Sequence, residues 1–300
     1  MKRFLLWMLP LLLFVAVEGQ TGSSNSAALP PDFERIFESG RYPAAHNLPR
    51  LRLMTWNIDH GARLDQIAAG MQTYAADLYL LQEVDSNTTR DGHTDVTAEL
   101  SRRLGLNGVF AIEFEELSQE HNAPAYTGQA TLSRLPFLQS RILRFERQSG
   151  FWKPRPWIPS SVPLMQRRRG GRLALVSEFD WDGRKLVVYN AHLESRSAGF
   201  IQEKQLDEIL ADASRYPPGS VILLGGDLNT KYLPSIFLRK LEAAGFQSAM
   251  GEHIERTHRI MMALDWIFAK GPVRISDGAI EHGARGSDHY PLCAILERSR

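Results

Sequence analysis

Apolar positions recur along the chain in two rhythms. Short apolar runs bounded by polar or glycine-rich stretches predict strands over Leu51–Ile58, Leu78–Val84, Gly108–Phe114, Ala130–Arg134, Phe137–Phe145, Arg172–Phe179, Lys185–Tyr189, Val221–Leu224, Leu264–Phe268, Val273–Ser276 and Leu292–Leu296. Between them, Leu64, Ile67, Ala68 and Met71 fall at i, i+3, i+4 and i+7, which predicts a helix with one buried face. Val96–Leu104 predicts a second helix. Leu206, Ile209, Leu210 and Ala213 mark a third, with Ser197 as candidate N-cap, and Leu233–Ala244 a fourth. Strands outnumber helices, and several consecutive strands have no helical crossover between them. That argues an α/β fold with mixed sheets, two packed face to face with helices outside. No linker interrupts residues 49–300, which read as one domain.

The N-terminus departs from these rhythms. Lys2 and Arg3 precede an apolar run over Phe4–Val17 that is shorter than the roughly 20 residues of a membrane-spanning helix. Such a start reads as a secretory signal peptide over residues 1–19, or as an uncleaved anchor, and places the protein in the periplasm or outside the cell. Residues 20–48, rich in Ser, Pro, Gly and Asn, read as a tether with one short helix around Phe33–Glu38.

Composition adds limits. The chain is 43% apolar and 23% charged, which excludes disorder throughout and a polytopic membrane protein. Its formal net charge of +1 excludes binding of nucleic acid by bulk charge alone. Cys293 is the single cysteine, so no internal disulfide forms and a zinc site built on several thiolates is excluded. The near-neutral sum hides one cationic stretch. Nine basic residues against the single acid Glu146 lie between Arg141 and Arg172, with Phe151, Trp152 and Trp157 among them. Arginines there could pair with phosphates, and tryptophans could stack on bases or meet a lipid surface. The acidic stretch Glu113, Glu115, Glu116 and Glu120 lies upstream, a possible partner for the arginines.

Polar residues cluster where the strands end. Asn57, Glu83, Asn190, His192, Asp227, Asn229, Asp265, Asp288 and His289 all fall at such positions. One such residue is usually turn chemistry. The whole set reads as one site at one end of the sheets. Its donors are carboxylates, amides and two histidines without thiols, which suits Mg²⁺ or Mn²⁺ better than zinc.

These residues carry a resemblance. Thr-Trp-Asn-Ile (55–58), Leu-Gln-Glu-Val (81–84), Leu-Ser-Arg-Leu-Pro (132–136), Asn-Ala-His-Leu-Glu-Ser (190–195), Gly-Gly-Asp-Leu-Asn-Thr (225–230), Leu-Asp-Trp-Ile-Phe (264–268) and Ser-Asp-His-Tyr-Pro-Leu (287–292) stand in one order. Over Leu51–Leu296 the chain resembles the endonuclease/exonuclease/phosphatase superfamily. The resemblance implies a four-layer α/β sandwich and hydrolysis of phosphodiester bonds with a divalent metal. It implies that Glu83 and Asn57 hold the metal and that Asp288 supports it. His289 would take a proton from the attacking water, with Asp265 behind its ring. Asp227 and Asn229 would orient the nucleophile, and His192 would meet the phosphate or the leaving group. Asn190, Arg134 and Arg172 would contact substrate. Nucleic acid is the leading substrate, ahead of a phospholipid head group or an inositol phosphate, and no protein partner is expected. A silent fold kept for binding alone is the reading from another class.

Two positions depart from the family's pattern. Gln129 stands where Asn is usual, so a contact made there is lost or moved. Trp266 stands where His, Tyr or Arg is common. His60, His93 and His121 are too isolated to assign, and His253 and His258 read as loop residues.

Overall fold

The chain enters the fold earlier than its hydropathy predicts. Pro31–Glu34 forms one 3-10 turn, and β1 (Ile36–Ser39) follows where a helix was expected. Phe33 is fully buried with its ring edge-on to Tyr126, and the Trp181 indole donates to the Leu48 carbonyl at 2.7 Å. Residues 31–48, expected as tether, are thus bound to the domain, Ile36–Ser39 by antiparallel pairing with Gly108–Ala111 and the rest by isolated contacts that leave no periodic pattern to read. The computed structural model describes residues 29–119, 123–153, 157, 168–232, 234–260 and 262–299. The signal peptide expected over 1–19 lies outside the described residues.

The next elements are β2 (Arg50–His60), α1 (Leu64–Thr73), β3 (Leu78–Ser86), α2 (Val96–Leu104), β4 (Asn107–Glu116), β5 (Tyr126–Ser133), β6 (Phe137–Arg144) and β7 (Arg168–Gly170). They continue with β8 (Leu173–Trp181), β9 (Arg184–His192), α3 (Phe200–Ala213), β10 (Val221–Asp227), α4 (Pro234–Ala243) and β11 (Gln247–Ser248). Three strands, β12 (Asp265–Lys270), β13 (Val273–Ile280) and β14 (Leu292–Arg298), close the chain. One sheet runs β1-β4-β5-β3-β2-β14-β13, with β7 on β4; the other runs β11-β12-β10-β9-β8-β6. Both are mixed, as expected, because β2 runs parallel to β3 and β9 to β10 while their other neighbours are antiparallel.

Strand alternation explains why the apolar runs are nearly continuous. In β2, Leu51 and Leu53 enter the core between the sheets, while Met54, Trp56 and Ile58 face a second core with Ile67 and Met71 of α1 and Leu100 of α2. Across the molecule, Leu186, Val188, Val221 and Leu223 fill the inter-sheet core, and Val187, Tyr189, Ile222 and Leu224 pack on Leu206 and Ile209 of α3 and Leu241 of α4. The result is four layers, helices outside two sheets. β7 and β11 escape the sequence reading because two or three residues, one of them an Arg-Arg-Gly run, carry no alternation.

The two parallel pairs place the site. The C-terminal ends of β2 and β3 carry Asn57 and Glu83, and those of β9 and β10 carry His192 and Asp227. Gly226 permits the last of these to form. It has φ +140°, and a Cβ there would lie 1.9 Å from the Ala191 carbonyl oxygen, so only glycine lets β10 approach β9 just before Asp227.

Candidate active site

Asp227 is the centre of the constellation. Its Oδ2 accepts from Asn57 Nδ2 at 3.1 Å and lies 3.6 Å from His192 Nε2 and 3.8 Å from His289 Nε2. Its Oδ1 accepts from the Asn229 backbone N–H at 3.0 Å, and Asn229 Nδ2 donates to the Leu193 carbonyl. Asn57 Oδ1 accepts from the Asp59 N–H at 3.2 Å. The amide expected beside Glu83 is thus tied to Asp227 and to its own loop.

His289 and Asp265 form a buried dyad, with Nδ1 to Oδ2 at 2.7 Å. Ser287 Oγ accepts from the His289 N–H and donates to the Asn57 carbonyl, while Trp56 Nε1 donates to the His289 carbonyl. The histidine backbone is therefore fastened directly to β2. Burial pushes the His289 pKa down, but Asp265, with Asp227 and Asp288 nearby, outweighs burial and raises it to about 10. A divalent cation in the site would oppose those carboxylates and favour the neutral ring.

His258, expected as an ordinary loop residue, belongs to this group. Its ring meets that of His289 edge-on with centroids 4.6 Å apart. Its Nδ1 accepts from the Ile260 N–H, which leaves Nε2 to donate to Asp288 Oδ2 at 3.2 Å. Burial pushes the Asp288 carboxyl up, but the hydrogen bond from His258 and the charge of His289 leave it lowered.

Glu83 stands across from Asp227, in the left-handed region at φ 51°. Burial would raise its pKa, but His60, His192, Arg172 and His289 outweigh this and hold it far below the usual carboxylate range. His60 touches it, with Nε2 3.3 Å from Glu83 Oε2 and Nδ1 3.1 Å from Asp85 Oδ1. Sequence reasoning left His60 unassigned; its signal was its place three residues after Asn57, in the same strand end. Asp59, His60 and Glu83 have ligand atoms within 4.8 Å of one another, as do Asp227, Asp265 and His289, and as do His258, Asp288 and His289. Across the three groups five carboxylates stand against three histidines, so the residues present fit a hard divalent cation.

His192 is held by a buried ion pair. Arg172 Nη1 lies 2.8 Å from its Nδ1 and 2.9 Å from its Nε2, Glu113 Oε2 lies 3.2 Å from its Nδ1, and Arg172 and Glu113 pair at 2.6 Å. All three are buried. Glu113 was read only as part of an acidic stretch; a charged residue inside the run Ala-Ile-Glu-Phe was the available signal. The register β4–β7 sets Glu115 opposite Arg169 and Glu116 opposite Arg168, so the acidic and basic stretches do meet. Arg141 pairs with Asp212 and Arg144 with Glu34. Five of the nine cations of the basic stretch therefore face carboxylates. Arg172, expected to contact substrate, is buried with its Nη1 against both ring nitrogens of His192. Residues 158–167 of that stretch lie outside the described residues.

Two further expectations are corrected. Arg134 follows β5, whose Ser133 is paired with Leu78 at the far end of β3 from Glu83; antiparallel pairing carries it away from the site. It ion-pairs with Asp77 and lines a shallow cavity with Pro43, Leu106 and Asn107. Asn190 is fully buried, with Oδ1 accepting from Gln82 and Nδ2 donating to the Leu81 and Ala130 carbonyls. It binds the two sheets together. Gln129 does similar work, donating to the Leu173 carbonyl and accepting from the Leu175 N–H. Trp266 donates to Thr230 Oγ1 at 2.8 Å and so braces the Gly-Gly-Asp-Leu-Asn-Thr turn.

Comparison with known proteins shows the family and the fold. A family model described as "Endonuclease/Exonuclease/phosphatase family" matches residues 54–289. A curated relative, UPF0294 protein VV2535 of Vibrio vulnificus (strain YJ016), is 28% identical over 269 residues, 85% of this chain and 80% of that protein. The human Nocturnin catalytic domain with bound sulfate superposes with a TM-score of 0.62 at 19% identity, covering 90% of this chain and all of that one. Zebrafish (D. rerio) TDP2 complexed with single strand DNA product gives 0.55 at 19% identity, over 83% of this chain and 99% of that one. At such identities these structures speak for the fold.

Proposed function

The chain belongs to the endonuclease/exonuclease/phosphatase family, whose members are generally metal-dependent hydrolytic phosphoesterases, and from that premise we propose that it hydrolyses phosphodiester bonds in nucleic acid. The observation that carries the reading is the convergence of Asn57, His192 and His289 on the Asp227 carboxylate, with Asp265 behind His289. That the TDP2 structure holds a DNA product supports nucleic acid as the substrate class.

In this reading Glu83, with Asp288 and the Asp59–His60 turn at hand, holds the divalent cation, Mg²⁺ or Mn²⁺. When bound, the cation neutralises charge on the scissile phosphate. Asp227 Oδ2 and His289 Nε2 face each other at 3.8 Å and orient the attacking water between them. His289 Nε2 takes the proton, and Asp265 stabilises the imidazolium at Nδ1. His192, held by Glu113 and Arg172 and with Nε2 3.6 Å from Asp227 Oδ2, meets the phosphate together with the Arg172 guanidinium that lies 2.9 Å from the same nitrogen. Asn57 and Asn229 hold Asp227 in place. Export, read from residues 1–19, would put this activity outside the cytoplasm.

A side-by-side assay of plasmid DNA, RNA, a single-stranded oligonucleotide, sphingomyelin and inositol phosphates with Mg²⁺ tests the proposal. Turnover of a nucleic acid that is lost in His289→Ala supports it. Turnover of lipid without nucleic acid, or none of any phosphoester, overturns it.

A further inference from the structure

The cations of the basic stretch are largely paired, but a different group of cations and rings stands at the edge of the site. Phe151, Phe200 and Tyr232 are 44%, 67% and 59% exposed. The Arg196 guanidinium lies 4.6 Å over the Phe151 ring, and the Lys204 ammonium 6.0 Å from the Phe200 centroid. Lys231 follows Asn229 by two residues and donates to the Ser195 carbonyl at 2.9 Å, next to Arg196. Burial lowers the Lys231 pKa, with Asp227, Arg196 and Arg172 as its charged neighbours, so this ammonium lies within the field of the centre.

Short contacts connect the rim to the centre. Phe151 packs on Trp152, whose indole donates to Glu194, two residues beyond His192. Phe200 opens α3, and Gln202 in that first turn reaches the Asn229 carbonyl at 3.4 Å. Arg196 and Phe200 thus follow His192, and Lys231 and Tyr232 follow Asn229, by eight residues or fewer, and Phe151 joins them through Arg196.

We propose that Phe151, Arg196, Phe200 and Lys231 form a stacking platform for unpaired bases of a single-stranded nucleic acid. The proposal rests on the phosphodiesterase reading and narrows its substrate. Every base has a π-face, so rings beside a cationic track bind a single strand with little regard to sequence. A duplex keeps its base faces within its own stack and offers none to a ring. A lipid surface takes apolar side chains into its acyl boundary with cations beside them at the head groups, not on the faces of the rings. Here a cation lies on the face of Phe151 and another near Phe200, an arrangement complementary to flat groups joined by phosphates.

The test is binding of the full chain, in EDTA so that no turnover intervenes. Anisotropy of a labelled oligothymidylate is compared with that of a duplex of equal length, and co-sedimentation with phosphatidylglycerol vesicles is run beside them. The single strand is expected to bind more tightly than the duplex. Phe151→Ala, Phe200→Ala and Arg196→Ala are each expected to weaken it about fivefold or more, with affinity kept in Phe151→Tyr. These positions are exposed, so unchanged melting temperatures establish that the variants fold. Equal affinity for duplex and single strand, unchanged affinity in the Phe151→Ala/Phe200→Ala double variant, or vesicle binding without oligonucleotide binding overturns the platform. Loss of the platform with diesterase activity intact leaves the broader function standing. Oligonucleotide binding without turnover of any phosphoester removes the broader function instead.

Discussion

Asp265 Oδ2 lies 2.7 Å from Nδ1 of His289, and this one contact decides which ring nitrogen is available for chemistry. With Nδ1–H donated to the carboxylate, Nε2 is the nitrogen that faces Asp227. Asp265→Asn can donate an amide N–H to Nδ1 instead, which fixes the opposite tautomer and places a proton where the base must accept one. The expected loss in kcat is about 10²–10⁴-fold, with His289→Ala at least as severe. Initial rates on an active phosphodiester, with circular dichroism to establish folding, check this. Activity within threefold of wild type in Asp265→Asn would contradict the assigned roles.

Which parts were legible in the sequence follows from how each residue does its work. Strands buried on both faces announce themselves as apolar runs, and polar residues at their ends, such as Asn57, Asp227 and His289, stand out against them. His60, His258 and Glu113 did not, because each acts through a partner distant in sequence or through a loop without periodicity: Asp85 and Glu83 for His60, Asp288 for His258, Arg172 and His192 for Glu113. Arg134 and Asn190 show the reverse error. Each lies in a recognisable motif, but strand direction carries Arg134 to the far end of β3, and full burial makes Asn190 a tie between sheets. The basic stretch misled for an electrostatic reason, since composition counts charges and register decides which are neutralised.

Removal of divalent cations should abolish activity, and Mg²⁺ or Mn²⁺ should restore it. Glu83 is held far below the usual carboxylate range, so it is ionised at neutral pH. Glu83→Gln keeps the shape and removes the charge; its expected effect is at least a tenfold weaker affinity for Mn²⁺, read from the electron paramagnetic resonance of free Mn²⁺. Full activity after exhaustive chelation would exclude a metal-dependent mechanism.

Asp85 should make stability fall in acid. It is fully buried and accepts from Thr88, Arg90 and Thr127, with His60 on its other side. Burial pushes its carboxyl up, but His60 and Arg90 outweigh this and lower the pKa to about 2. A lowered folded pKa contributes stability that is present above the unfolded value near 3.9 and is lost as pH falls through about 2. The contribution at neutral pH is about 2–3 kcal/mol. Asp85→Asn leaves Arg90 with Glu116 and His60 with Glu83 as remaining carboxylates and should cost about 2–3 kcal/mol at pH 7. The gap from wild type should narrow between about pH 5 and pH 2. Urea unfolding at several pH values measures it, and a gap independent of pH would show that the charge of Asp85 is not what stabilises the network.

Gln129 offers a test of how the departure from the family's usual Asn is accommodated. Its side chain joins β5 of one sheet to β8 of the other, through the Leu173 carbonyl at 2.9 Å and the Leu175 N–H at 3.2 Å. Asn in its place is shorter by one methylene, about 1.5 Å, and cannot reach both groups. Two buried backbone groups then lose a partner, at a cost of about 1–3 kcal/mol, which should appear as a fall of several degrees in Tm. The amide is engaged with β8 and not with Asp227, so kcat should stay within a fewfold of wild type well below the transition. The two readouts separate a tie between sheets from a contact with substrate. A fall in kcat at unchanged Tm would return Gln129 to the site; the expected pattern, a lower Tm at nearly constant kcat, follows from the contacts of the side chain lying on the neighbouring sheet.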